Sequence, residues 1–187
     1  MHTYPHRLKL AALVVVVAAL LVTSTAVAAD ITATATVNAG SLSLSTSAAP
    51  SVSVTLDGTD KTPTYTMPMT VSDATGSGAG WNVTVTSTQF TTGGGSPRTL
   101  STTASSATGV TAVCSGGTCT SPTNAIAYPV AVPAAAVAPT AVKLYNAAVN
   151  TGMGGFTVTP TVQVSIPANA YAGTYTSTVT VAVVSGP

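Results

Sequence analysis

The side chains able to do chemistry are few and fall in three short stretches. "LDGTDKTP" (56–63) places Asp57 and Asp60 three apart, with Lys61 next in line. Paired carboxylates can share acid–base work. With Asp73 of "VSDATG" they could also offer oxygens to calcium, which takes about six to eight. Against both stands the ordinary job of aspartate beside glycine, which is to form a solvated turn. "CSGGTC" holds the only cysteines, Cys114 and Cys119. "GSGAGWNVTVTS" (76–87) holds the only tryptophan, Trp81, directly after a glycine-rich turn.

The partners such groups need are missing. Both histidines, His2 and His6, precede residue 30, and the chain has no glutamate. Serines abound, but only Lys61 and Lys143 remain as amine bases, and nothing singles out a Ser–Lys pair. Zinc asks for four ligands, usually Cys or His, and two cysteines without histidine do not supply them. The glycine runs follow no phosphate-loop spacing. The expectation is a non-enzymatic protein with no catalytic residue, no cofactor and no bound metal. A calcium ion at Asp57 and Asp60 is the one metal the composition leaves open.

Residues 1–29 have the order of a secretory leader. "MHTYPHRLK" carries Arg7 and Lys9, Leu10 to Val22 is unbroken apolar chain, and "TSTAVAAD" supplies small residues. The apolar run is shorter than the ~20 residues a helical span needs. Cleavage after Ala28 or after Ala29 fits equally well. In an exported chain a close cysteine pair forms a disulfide, and Gly116 and Gly117 allow the tight turn that closes it. The expected organisation is a signal peptide over 1–29 and one domain over 30–187, with no membrane span in the mature chain.

The remaining 158 residues carry three cations, Lys61, Arg98 and Lys143, against four anions, Asp30, Asp57, Asp60 and Asp73. No basic patch exists to neutralise phosphates or anionic lipids, which excludes nucleic acid as a partner. The pattern has period two almost throughout. "ITATATV" (31–37), "SLSLS", "SVSVTL", "WNVTVTS", "FTVTPTVQVSI" and "TYTSTVTVAVV" alternate aliphatic residues with Ser or Thr. Such alternation predicts half-buried antiparallel strands. Gly-rich turns separate them, and Pro133 and Pro139 interrupt the Ala-rich stretch 130–142. Pro68 and Pro160, inside strand-like runs, predict edge strands or bulges. The fold class is all-β, an antiparallel, Ig-like β-sandwich. Its outer faces should be neutral and hydroxyl-rich, suited to packing against a polymer or a neighbouring subunit, or simply to water.

On "WNVTVTS", Trp81, Val83 and Val85 share one face and Asn82, Thr84 and Thr86 the other. The indole is expected to cap the core at one end of the sandwich. Asn82 also heads "NVT", an N-glycosylation pattern that matters only in a host that glycosylates there.

"GAGWNVTVTSTQF" together with the C-terminal "IPANAYAGTYTSTVTVAVVSGP" resembles the WxL domain of Gram-positive surface proteins. That family carries a Trp-x-Leu after a Gly-rich turn, and a second motif of Tyr, three residues, Leu-Thr-Trp-x-Leu and a closing proline. Here the first motif reads Trp81-Asn82-Val83. The second reads Tyr175, then Val179-Thr180-Val181-Ala182-Val183, with Pro187 at the matching distance. Val83 replaces Leu, and Val181 stands where the second tryptophan would be. The resemblance covers nearly all of the chain after the leader. It implies an exported domain held without a covalent bond to peptidoglycan or another cell-wall polymer, or to partner surface proteins. "VVSGP" carries no sorting motif, apolar tail or basic stop, which fits the same expectation. The alternative is a structural subunit of a surface filament or coat, joined to further copies by strand exchange with "ITATATV" as the donated strand.

Overall fold

The computed structural model describes residues 30–46 and 48–187. The leader expected over 1–29 lies outside the described residues. The chain divides after Thr36, and all strands of the described residues belong to the unit Val37–Pro187. In chain order they are β1 (Leu42–Ser45), β2 (Thr64–Thr66), β3 (Met69–Asp73), β4 (Trp81–Thr88), β5 (Ser105–Gly116), β6 (Val130–Ala131), β7 (Ala134–Ala135), β8 (Val142–Ala147), β9 (Gly154–Val164) and β10 (Val179–Ser185). No helix of the described residues is long and apolar enough to cross a membrane.

Two sheets share one core, as the alternation predicts for an all-β sandwich. The larger runs β1-β3-β9-β5-β6, with β2 also on β9. The smaller runs β10-β4-β7, with β8 also on β4. All pairings are antiparallel except the short contact of β7 with β4, where Ser87 meets Ala134. In β9 the inward positions are Phe156, Val158, Pro160, Val162 and Val164, all buried, while the Thr residues between them face out.

Three sequence expectations need correction. "ITATATV" forms no strand; residues 30–40 are exposed and without regular structure. "SVSVTL" (51–56) joins neither sheet. Of the two alternatives for Pro160 the edge is wrong, since it lies in β9 between β5 and the β2–β3 side, while the pairing with β5 does shift register close by, between Ala107 and Gly109. The proline is tolerated because the chain opposite is interrupted between β2 and β3. There Met67 donates to the Pro160 carbonyl at 3.1 Å, and Pro68 breaks the strand. Met67 thus stays opposite Pro160, and only the reciprocal bond from the absent Pro160 N–H is missing.

β4 is buried on both faces rather than one. Trp81, Val83 and Val85 have no exposed surface, Ser87 is buried on the same face, and Asn82 and Thr86 are buried on the opposite one. The indole sits against Tyr145 and Phe156, with ring centroids 5.8 Å and 6.4 Å away. Its Nε1–H donates to the Gly152 carbonyl at 2.8 Å, so the one polar atom of the ring is satisfied in the core. Two glycines make this fit. Gly80 enters the strand with φ of 74°, and a Cβ there would overlap the Ala147 carbonyl oxygen. Gly152 has φ of 75°, and a Cβ would fall 2.6 Å from Trp81 Nε1. The glycine-rich turn before the tryptophan is therefore a steric condition for seating it.

Cys114 and Cys119 are joined, with Sγ atoms 2.00 Å apart. The bridge closes the turn after β5, where Gly117 has φ of 67°. Trp81→Ala should cost about 3–5 kcal/mol, as for other buried aromatics, read as a shift of the denaturation midpoint. The native fluorescence should be blue-shifted and poorly quenched by iodide. Thiol labelling without reductant should give no signal. Reduction should lower stability by on the order of 2 kcal/mol, because the closed ring is small.

Candidate functional site

The two motif segments, nearly a hundred residues apart in sequence, lie on neighbouring strands. β10 pairs with β4 in unbroken antiparallel register, Val181 opposite Val85, Val183 opposite Val83 and Ser185 opposite Trp81. Val179, Val181 and Val183 pack half-buried against the core that holds Trp81. Tyr175 does not extend this strand. It packs instead on a second cluster of Leu100, Ala104 and Val164 with Phe90 and Ile166, and its hydroxyl donates to the Tyr171 carbonyl at 3.0 Å.

Polar bonds fasten the end of the chain to this pair. The Gly186 amide donates to the Gly80 carbonyl at 3.0 Å. Asn82 Nδ2 donates to the Gly186 carbonyl at 2.8 Å. Lys143 Nζ donates to the Pro187 oxygen at 2.7 Å. Asn82 is thus a buried clasp, and its engaged amide is no acceptor for a glycan in the folded domain. Trp81, Asn82 and Val83 are all buried, so the first motif is part of the packed interior of the domain. The alternation placed Trp81 and Val83 on the core face; the burial of Asn82 on the opposite face accompanies its bond to Gly186, a residue far off in the chain, which one strand's alternation does not reveal.

The candidate chemistry at the aspartates is already taken up. Lys61 Nζ lies 2.6 Å from Asp57 Oδ2, and the Thr59 hydroxyl and amide donate to Asp57 Oδ1 at 2.7 and 3.0 Å. The bond from Lys61, then those from Thr59, hold the Asp57 carboxyl at about 2. So low a value makes it a poor base near neutral pH. Asp60 Oδ1 accepts from the Ala168 amide at 2.7 Å. Asp73, buried at the end of β3, accepts from the Thr75 hydroxyl and amide. The three carboxylates are not brought together. Among the described residues no three His, Cys, Asp or Glu side chains could hold a metal ion.

The fold does assemble an uncharged hydroxyl surface. On the larger sheet Leu42, Leu44, Met69, Val71, Phe156 and Val158 turn inward, which sends Ser43, Ser45, Thr70, Ser72, Thr157 and Thr159 outward. The registers align them across strands. Ser45 is opposite Thr70 and Thr70 opposite Thr157; Ser43 is opposite Ser72; Thr159 is opposite Thr111 and Thr161 opposite Thr66. No Asp, Lys or Arg stands among these outward positions. Single strands showed hydroxyl alternation, but which hydroxyls become neighbours depends on pairings that cross most of the chain.

A family model described as the WxL domain, surface cell wall-binding, matches residues 24–187. No curated protein and no solved structure matches the chain. The match takes in both motif strands and every strand of the two sheets, and the chain belongs to the WxL family of surface cell wall-binding domains.

Proposed function

We propose that this protein is exported, loses residues 1–28 or 1–29, and acts without catalysis at the cell surface, held non-covalently to peptidoglycan or another wall polymer. The observation that carries the reading is the charge-free hydroxyl face on the larger sheet of a WxL domain. Hydroxyls on paired strands stand about 4.8 Å apart and those along one strand about 6.8 Å, up to β5, where the exposed Val113 lies opposite Thr157. Each hydroxyl donates and accepts, so the face can meet the hydroxyl and amide groups of a repeating glycan at many weak points. Such contacts on one rigid scaffold multiply into useful retention. The paired motif strands support the sheet from within.

Retention of this kind does not rest on long-range charge. The domain carries four anions and three cations after residue 29, and Asp57 and Lys61 neutralise each other. Full-length protein should sediment with isolated wall sacculi, resist release by moderate salt and be released by denaturant. Wash-off by moderate salt, or failure to bind at all, would refute the reading. Thr157→Lys combined with Thr159→Lys should weaken sacculus binding at least tenfold, about 1.4 kcal/mol, while shifting the melting temperature by only a few degrees. Ending the chain after Gly173 removes β10, uncovers β4 and should abolish binding and folding together. Mass spectrometry of the exported protein should find Ala29 or Asp30 at its N-terminus.

A further inference from the structure

One sheet edge has no hydrogen-bonded partner strand, although β1 of the other sheet runs close to it. β10 pairs only with β4. Thr88 donates to the Thr178 carbonyl at 2.9 Å, and Gly186 to the Gly80 carbonyl at 3.0 Å. In an antiparallel ladder this points the backbone groups of the even-numbered residues at β4. The N–H and C=O groups of Val179, Val181 and Val183 therefore point away, along the free edge. Exposed edges are commonly guarded by lysine, proline or a bulge. "VTVAVVS" has no charge and no proline, and its pairing with β4 has no register shift.

Beside this edge runs a groove of about 950 Å³. Val179 and Val181 line it, as does the segment around Val52 and Val54. Tyr65 and Phe90 lie among its apolar lining residues, and no charged residue lines it. Residues 50–56 make no backbone–backbone hydrogen bond with other described residues, and Val52 and Val54 are 41% and 37% exposed. Two stretches of alternating sequence thus line one groove, and among the described residues no backbone hydrogen bond joins them.

We propose that this groove accepts residues 31–37, "ITATATV", of a second copy as an added β-strand. The segment has seven residues, the length of β10. It alternates Ile31, Ala33, Ala35 and Val37 with threonines, the pattern of a strand with one buried face. It carries no charge, matching the uncharged groove. It takes no strand of its own, and Ile31 and Val37 are 91% and 93% exposed. Pairing would satisfy the outward groups of Val179, Val181 and Val183, and bury the small apolar face of the segment on the groove lining. Because donor and acceptor are different surfaces, the contact is head-to-tail and propagates into an open chain of subunits. This inference does not depend on the wall-binding reading.

The test is complementation between two variants of the exported protein. Ala33→Asp with Ala35→Asp spoils the donor segment. Val181→Pro removes an outward N–H at the acceptor edge. Analytical ultracentrifugation should show the unaltered protein growing with concentration, each variant alone monomeric, and their mixture forming a one-to-one pair. Hydrogen exchange of the unaltered protein should show the Val179, Val181 and Val183 amides becoming protected on assembly; this readout stands even if Val181→Pro fails to fold. A protein that stays monomeric at every concentration, with those amides unprotected, overturns the proposal. So does a monomer whose amides are already protected and are released by the Asp substitutions, since the segment would then pair within its own chain. Assembly that survives the Asp substitutions also overturns it.

Discussion

The seating of Trp81 is the constraint on which the rest of the domain depends. A ring of that size, with one N–H to satisfy, can be buried only if backbone comes very close to it. The close approach is made by Gly152, whose carbonyl takes the indole proton and whose lack of a side chain leaves room for the ring. Gly80 brings the strand in at an angle other residues rarely adopt. The indole then joins both sheets, touching Tyr145 of β8 and Phe156 of β9. In a chain with nine aromatic residues in all, no second ring of that size can take its place.

From that seat the family motif acquires a physical meaning. Trp81 fixes β4, and β4 is the strand on which β10 closes. Asn82 and the Gly80 carbonyl bind Gly186, so the same three-residue stretch anchors the end of the chain. Where the family has a second tryptophan, Val181 contributes a smaller side chain, half-buried and lining the groove beside the free edge. The departure from the motif and the groove thus meet at one residue.

Scarcity of charge shapes what the surface can do. A face of Ser and Thr offers hydrogen bonds in both directions but no long-range attraction. Hydrogen bonds made through such a face are short-range. The ion pair between Asp57 and Lys61 sits at an exposed turn and adds little to stability.

Much of this was legible in the sequence. Period-two alternation fixes the strand class and sends Thr out and Val in, because side chains alternate strictly along a strand. The spacing of Cys114 and Cys119 and the motif around Trp81 are equally local. The same alternation misled at "ITATATV" and "SVSVTL", which satisfy the pattern but have no neighbouring strand in the fold. Pairing is not a property of one segment: a strand exists only where a second backbone supplies its hydrogen bonds. That is also why Pro160 could enter a central strand, opposite the one interruption that tolerates it. Sequence alone determined an all-β domain, poor in charge and without histidine or glutamate after residue 29. Tertiary structure alone decided which hydroxyls form a face, that Asn82 is buried, and that the edge of β10 is open. Each of these depends on contacts between residues far apart in the chain, which no local spacing encodes.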